Sequence, residues 1–451
     1  MTDRILNIAD VVARQLCAGC GACASIDPDR IEMFDSLEHG RRPRYRGTCR
    51  EASGDREALQ VCPGVELEHQ PDAGEGEPIT GLLPGWGRVL EVWEGHAADE
   101  AIRFAGSSGG AATAIALACI ERGGMHGVLH VKARPDAPLL NHTVLSTTRA
   151  ELMEATGSRY APASPCDGLH MIEQAPAPCV FIGKPCDVAA VAKTRALRPA
   201  LDRRTGLTIA IFCAGTPTTR ATLRLIEHLG VADPADVVSL RYRGNGWPGD
   251  TTVTIRTADG LETRSLAYST AWGDILSTDR QWRCQVCPDH TGEFADIALG
   301  DPWYRSVHPG DKGSSLIIVR TERGRRVLRT ALDGGYLHIR RVEPRCLPAS
   351  QPALLRARGA VWGRLLACRM LGIPVPRYHG FPMFRFWISK LSFMAKVRSI
   401  VGTIRRIFTR GLASRISIEP CIDALKPQRS PPLSFTGHPT TSAELHNRRA
   451  A

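Results

Sequence analysis

Between residues 89 and 343 the chain alternates short apolar runs with stretches of helical periodicity. Residues 127–133 (GVLHVKA) precede a helical pattern near 149–155, and 179–183 (CVFIG) precede 186–197 (CDVAAVAKTRAL). In the same way 208–213 (TIAIFC) precede 218–230 (TTRATLRLIEHLG), and 315–320 (SLIIVR) precede 323–335 (RGRRVLRTALDGG). Apolar runs of this length predict strands, and strand–helix alternation predicts a mixed α/β (α+β) body. Residues 1–65 lack regular periodicity and are rich in cysteine, which predicts a small N-terminal domain. Residues 66–88 are rich in Gly, Pro and acid and read as a linker to the body at 89–343. Helical spacing returns in 344–418, where Phe384, Trp387, Leu391, Met394, Val397, Val401, Ile404 and Phe408 form an apolar series. The tail 419–451, polar and rich in Pro, Ser and Thr from 425 on, is expected to be disordered. No repeat of solenoid type is present.

A length of 451 residues leaves room for two or three domains, and the composition excludes a collagen-like fibre or a small disulfide scaffold. The net charge of +11 is unevenly placed. Residues 344–418 hold 14 basic and no acidic residues, the tail adds +1, and residues 1–343 are left at −4. A mildly acidic body argues against nucleic acid as a partner. The segment 381–415 instead suits an anionic membrane surface, the acidic body itself or a partner subunit. No apolar window is long enough for a transmembrane helix, and residues 1–15 lack the apolar block of a secretory signal. A cytoplasmic location is therefore expected, with peripheral membrane attachment through the basic extension as a variant. In a reducing compartment, 15 cysteines point to metal or redox chemistry rather than disulfides.

Cys17-Ala-Gly-Cys20-Gly-Ala-Cys23 is a C-x2-C-x2-C run. Three thiolates at this spacing wrap one corner of an iron–sulfur cubane, and the glycines permit the tight loop. Where a bacterial ferredoxin continues to a local fourth cysteine, this chain has Asp27-Pro28. Cys62, in QVCPG, is the best fourth ligand, with Cys49 second. Zinc is the alternative, although it usually takes two separated pairs. A second C-x2-C, Cys284 and Cys287, is by spacing open between zinc, a redox dithiol and a cluster. Cys186 and Cys213 follow predicted strands, where loops converge in α/β sheets, so they could complete a second four-thiol set or be plain core residues. Gly106-Ser107-Ser108-Gly109-Gly110 opens a helical run and suits a phosphate or pyrophosphate; the alternative is an ordinary flexible loop. Ser158 and Lys184 could add polar contacts.

Taken together these residues resemble the coenzyme F-420 hydrogenase/dehydrogenase beta-subunit family, which includes ferredoxin-dependent 7-hydroxymethyl chlorophyll a reductase and divinyl reductase relatives. CAGCGAC, CPG, GSSGGAAT, TGSRYAP, FIGKPCDVAAV, IFCAGTPT, RYRGNGWPG and CQVCPDHTGEFADIALGDPW occur in the family's order. The resemblance implies FAD and one or two [4Fe-4S] clusters. Cys17, Cys20, Cys23 and Cys62 would hold one cluster; Cys186, Cys213, Cys284 and Cys287 would hold the other. Gly106, Ser107, Ser108, Gly109, Gly110, Thr113, Gly157, Ser158, Tyr160 and Lys184 would lie against FAD.

The expected activity is that of an iron–sulfur flavoprotein oxidoreductase, with ferredoxin or a deazaflavin coenzyme as donor and a small molecule as acceptor. The alternatives are an electron-transfer beta subunit of a larger hydrogenase or dehydrogenase complex, and a zinc-stabilised adaptor with a membrane-binding tail. An oligomeric assembly is expected. The catalytic proton donor is not identified by the sequence. His142, Tyr160, Asp187 and Asp301 are candidates, although Asp301 in ALGDPW reads first as a strand-end turn or helix cap. Trp247, in RYRGNGWPG, reads equally as a wall of the cofactor pocket or as packing within a tight loop.

Overall fold

The computed structural model describes residues 5–47, 55–69, 74–308, 310–418 and 420. Cys49 and the tail from 421 on lie outside the described residues. In chain order, β1 (Ile31–Ser36) and β2 (Gly40–Tyr45) form an antiparallel hairpin, and β3 (Glu66–Glu68) follows. The body then supplies β4 (Glu91–Ala97), β5 (Val128–Ala133), β6 (Asn141–Ser146), β7 (Cys179–Gly183) and β8 (Thr205–Ile211). An inserted antiparallel sheet comprises β9 (Val237–Arg241), β10 (Thr251–Thr257) and β11 (Gly260–Leu266). β12 (Ile297–Gly300), β13 (Ser315–Val319) and β14 (Leu337–Arg341) return to the body, and β15 (Arg377–His379) pairs with β3 in parallel.

Among the described residues the main sheet has eight strands in the order β14-β4-β13-β12-β8-β7-β5-β6. Its centre is parallel, from β5 through β7 and β8 to β12, and its flanks are antiparallel. The strands read as continuous apolar runs because both faces are covered. Successive side chains face opposite layers. Phe181, Ala210, Ala298, Leu316 and Ile318 join one core, which also takes in Cys20, Cys166 and Val188. Val180, Ile209, Ile297, Ile317 and Val319 join the other, under the helices Ala111–Glu121 and Glu322–Asp333. Every strand–helix pair expected from the apolar runs is present, and Thr148 with Glu151 forms a capping box that starts the helix Arg149–Glu154.

Three expectations change. The stretch 66–88 is no free linker: Leu67, Leu82 and Trp86 are buried, and the β3–β15 pairing ties the N-terminal region to the C-terminal one. The basic extension is no loose appendage either. Its helix Leu354–Met370 packs with Trp282 and Val286 in one core, because Val361, Leu365 and Cys368 face inward. The apolar series 384–408 is also not one helix. Ser392 breaks it, accepting from the Ala395 N–H at 3.3 Å and capping Phe393–Thr409, while Met383–Lys390 stands alone.

Candidate functional site

The helix Ile8–Ala13 delivers the chain into the first cysteine loop. Gly19 (φ +74°) and Gly21 (φ +90°) turn that loop inward. A Cβ at either would stand 2.7 Å from backbone, at Arg41 O and Asp167 N respectively, so glycine is required at both. Cys17, Cys20, Cys23 and Cys62 line one small pocket, closed by Ile8, Val11, Met33 and Pro43. All four are buried. Gly19 N–H donates to Cys17 Sγ at 3.3 Å. Burial pushes the Cys62 thiol up to about 12, and pushes Cys23 well above the usual thiol range with the three neighbouring sulfurs adding to it. Cys20 goes the other way because Cys166 hydrogen-bonds it.

The second set forms at the carboxyl edge of the main sheet. Cys186 opens the helix after β7, and Cys213 follows β8. Cys284 and Cys287 flank the end of the short helix Trp282–Gln285. Each of the four thiols lies within electrostatic reach of at least two others. Thr216 N–H donates to Cys284 Sγ at 3.3 Å, Gly215 N–H to Cys213 Sγ at 3.4 Å, and His290 pairs with the Cys213 carbonyl at 3.0 Å. Desolvation raises Cys213 to about 12, helped by Cys284. Among the described residues no group of three or more His, Cys, Asp or Glu is arranged to hold a single metal ion.

Two buried arginines and the half-buried Lys184 stand between the two sets. Arg42 faces Cys17 on one side and Cys284 on the other. Arg283 faces Cys17, Cys186, Cys284 and Cys287. Lys184 faces Cys20, Cys186 and Cys213, and its Nζ pairs with Asp187 at 2.7 Å. Arg42 gives N–H groups to Gln281 Oε1 (2.9 Å) and Arg41 O (2.7 Å), and Arg283 gives one to Pro63 O (2.8 Å), beside Cys62. Nε of Arg42, and Nε and Nη1 of Arg283, are buried without a hydrogen-bond partner. Buried guanidinium groups with orphaned N–H atoms call for anionic neighbours. Thiolate-ligated iron–sulfur clusters are anionic, and the two thiol sets fit them.

The glycine loop sits farther along the same edge. Gly109 O accepts from Ala97 N at 2.8 Å, and Ser108 Oγ donates to Ser314 O at 2.9 Å. A Cβ at Gly109 would lie 2.8 Å from Ser314 Cα. The loop is therefore clamped to the sheet rather than free, and Gly110 starts the helix Ala111–Glu121. Ser107 Oγ is buried with no partner. Against the loop packs segment 241–249, through Arg241 Nη1 to Ala105 O (2.9 Å) and Gly246 N to Phe104 O (3.1 Å). Gly157, at φ +98°, backs onto Arg241 and Arg243, and Tyr160 stands 4.9 Å from Trp272. Thr113 and Ser158 are half-buried. The structure thus brings the loop and the 157–160 stretch into one neighbourhood, while Lys184 stands with the thiols.

Asp301, expected as a turn or cap, instead anchors this neighbourhood. Its carboxylate accepts two bonds from Arg243, at 2.5 and 2.8 Å, and one from Trp247 Nε1 at 2.8 Å. Arg243 lies over the Tyr268 and Trp303 rings, and Trp303 stacks on Trp247 with centroids 5.3 Å apart. Trp247 therefore belongs to an aromatic wall, and Asp301 and Asp187 are both committed to ion pairs. His142 lies on the flank strand β6, where burial first, then Lys132 and Arg134, keep its pKa low. Arg243→Met is expected to cost about 2–3 kcal/mol, because it leaves the half-buried Asp301 carboxylate without its counter-charge and with only the Trp247 bond. Thermal unfolding checks this, and Arg243→Met with Asp301→Leu should recover much of the loss.

The extension completes the second set from outside. Arg358 donates to Pro288 O at 3.0 Å and pairs with Glu293, which also meets His69 at 3.2 Å. Tyr378 Oη donates to Val286 O at 2.8 Å. Arg42, Arg243, Cys166 and Arg358 were not legible as site residues. Only Arg283 carried a signal, by standing beside Cys284.

Comparison with known proteins adds a separate line of evidence. Residues 92–169 match the family model for the N-terminal part of the coenzyme F420 hydrogenase/dehydrogenase beta subunit, and residues 178–345 match the companion model for its C-terminal part. The second thiol set lies inside these matches, and the first lies outside them. The F420-dependent formate dehydrogenase 1 subunit beta of Methanococcus maripaludis is 26% identical over 258 residues, 57% of this chain and 63% of that one. The chain thus spans a little under two thirds of that relative's length. The coenzyme F420 hydrogenase subunit beta of Methanococcus voltae is 25% identical over 246 residues, 51% of this chain and 78% of that one. A chain of the F420-reducing [NiFe] hydrogenase complex from Methanosarcina barkeri aligns at 19% identity and TM-score 0.47, covering 66% of this chain and 95% of that chain. That structural likeness is too loose to add to the family match.

Proposed function

Since the chain belongs to the coenzyme F420 hydrogenase/dehydrogenase beta-subunit family, we propose that it is an iron–sulfur electron-transfer subunit of an oxidoreductase complex. The single observation carrying this reading is the pair of four-thiol sets with partly unpartnered buried arginines between them. Cys17, Cys20, Cys23 and Cys62 would hold one cluster, and Cys186, Cys213, Cys284 and Cys287 the other. Such clusters carry single electrons, and a flavin stores two and exchanges a hydride. The residues suited to FAD are the clamped glycine loop with its free Ser107 hydroxyl, Thr113 and the Gly157–Ser158–Tyr160 stretch. Trp247, Trp303 and Tyr268 would exclude water there, and Arg243 with Asp301 would fix their positions. Lys184 would act at the thiols rather than at the flavin, keeping a positive charge beside both sets.

Relatives named as beta subunits of F420 enzymes favour a deazaflavin coenzyme over ferredoxin as the exchange partner, and a multi-chain assembly over a free-standing chain. They favour the electron-transfer subunit over the free-standing reductase that the sequence reading put first. The zinc adaptor is the weakest reading, because zinc usually takes two separated cysteine pairs, whereas Cys17, Cys20 and Cys23 form a run of three that lines one pocket with Cys62. Anaerobic purification with iron, sulfide and flavin assays tests the proposal. About eight irons, eight sulfides and one flavin per chain are expected. Zinc without iron would overturn it, and reduction of a small-molecule acceptor by the isolated chain would restore the free-standing enzyme.

A further inference from the structure

The last long helix, Phe393–Thr409, packs the opposite way from a surface helix of a globular domain. Ser399, Thr403 and Ile407, each one turn apart, are its buried face. Ser399 meets the helix Leu354–Met370 at Gly363, where an added Cβ would collide with Ser399 Oγ, and it accepts from Trp387 Nε1 at 3.1 Å. Two small residues and Ile407 thus make the contact with the body, while most of the large apolar residues face outward. Phe393 is 76% exposed, Phe408 71%, Met394 65% and Val401 57%, with Val397 also exposed. At 3.6 residues per turn these five fall within about 100° of arc, with Arg405 and Arg398 directly beside them. The preceding helix Met383–Lys390 adds exposed Phe384 and Ile388 next to Arg385 and Lys390.

Charge decides what covers this face. Residues 344–418 hold no Asp or Glu, so nothing there repels an anionic surface, whereas residues 1–343 carry −4. We propose that the face formed by Met383–Lys390 and Phe393–Thr409 docks on an anionic lipid bilayer. The phenylalanines enter the acyl boundary, Lys390, Arg398 and Arg405 meet headgroup phosphates, and the acidic body is turned toward water. Anionic headgroups supply the counter-charge that residues 344–418, without Asp or Glu, do not provide for themselves. No helix among the described residues is long and apolar enough to cross a membrane, so the contact is peripheral.

The test is flotation of the full-length, iron-loaded protein with phosphatidylcholine vesicles, with and without about 30% phosphatidylglycerol. The protein should float with the anionic vesicles only, and less so as salt rises. Phe393→Ser with Phe408→Ser should reduce the floated fraction at least about tenfold, given what each buried phenylalanine contributes. Both side chains are exposed, so the melting temperature and iron content should not move. Arg398→Gln with Arg405→Gln should weaken flotation and flatten its salt dependence, with Arg385 and Lys390 left to carry the remainder. Failure of the wild type to float with anionic vesicles would overturn the proposal. So would flotation that survives the double serine variant, or wild-type protein that stays in solution while that variant releases a co-purified subunit.

Discussion

If the chain holds the two proposed clusters, Cys62→Ser is expected to leave it with about four of their eight or so irons, and Cys287→Ser to do the same for the other half. The reason is that each set is built on its own scaffold. Cys62 closes a pocket made by the helix Ile8–Ala13, the 17–23 loop and the β1–β2 hairpin. Cys186 and Cys213 are fixed by β7 and β8, and Cys284 and Cys287 by the extension that holds Pro288 and Val286. Serine keeps the size of the side chain but offers a poor ligand for iron. The double variant should lose nearly all iron. Cys119→Ser, in the helix Ala111–Glu121 under the far face of the sheet, should lose none. Iron and sulfide assays on anaerobic protein, with circular dichroism to exclude unfolding, read the outcome. Loss of all iron in either single variant would mean one shared centre, and loss in neither would remove the thiol sets from the proposal.

What could be read from the chain depended on how local the determinant is. The C-x2-C-x2-C run needs only its own spacing and two glycines, and the structure places its thiols with Cys62 in one pocket. The strand–helix pairs were legible because most of each apolar run is buried between two layers. Arg42 was not, since it becomes a site residue only when the hairpin and the Cys284 segment meet, more than 200 positions apart, and Arg283 was marked only by standing beside Cys284. Asp301 failed for the same reason: its partner Arg243 sits across the inserted sheet. The extension misled because its basic composition suggested an appendage, while Arg358 is 0% exposed and pairs with Glu293 in the core. Residue types gave the amphipathicity of the last helix. Only the packing of Ser399 against Gly363 shows which side faces out.

Arg283→Met is expected to lower the reduction potentials of both iron–sulfur centres in a chain that still binds its iron. The guanidinium is 2% exposed, lies 5.7 Å over the Tyr378 ring, and has two N–H-bearing nitrogens with no partner in the protein. Its charge is felt by Cys17 in one set and by Cys186, Cys284 and Cys287 in the other. A nearby cation favours the more negative, reduced state of each centre, so its removal moves the potentials down. A unit charge about 8 Å away, at an effective dielectric near 20, is worth about 2 kcal/mol. For a one-electron couple that is on the order of 90 mV. Arg42→Met should act in the same direction, since Arg42 faces Cys17 and Cys284. Arg283→Lys separates charge from shape, because it keeps the cation but loses the fork that reaches Pro63 O. Redox titration followed by electron paramagnetic resonance should place the lysine variant near the wild type and the methionine variant well below it. If both fall equally, the Pro63 contact is what matters. If neither moves at full iron content, Arg283 has no electrostatic role, and its orphaned nitrogens need another partner.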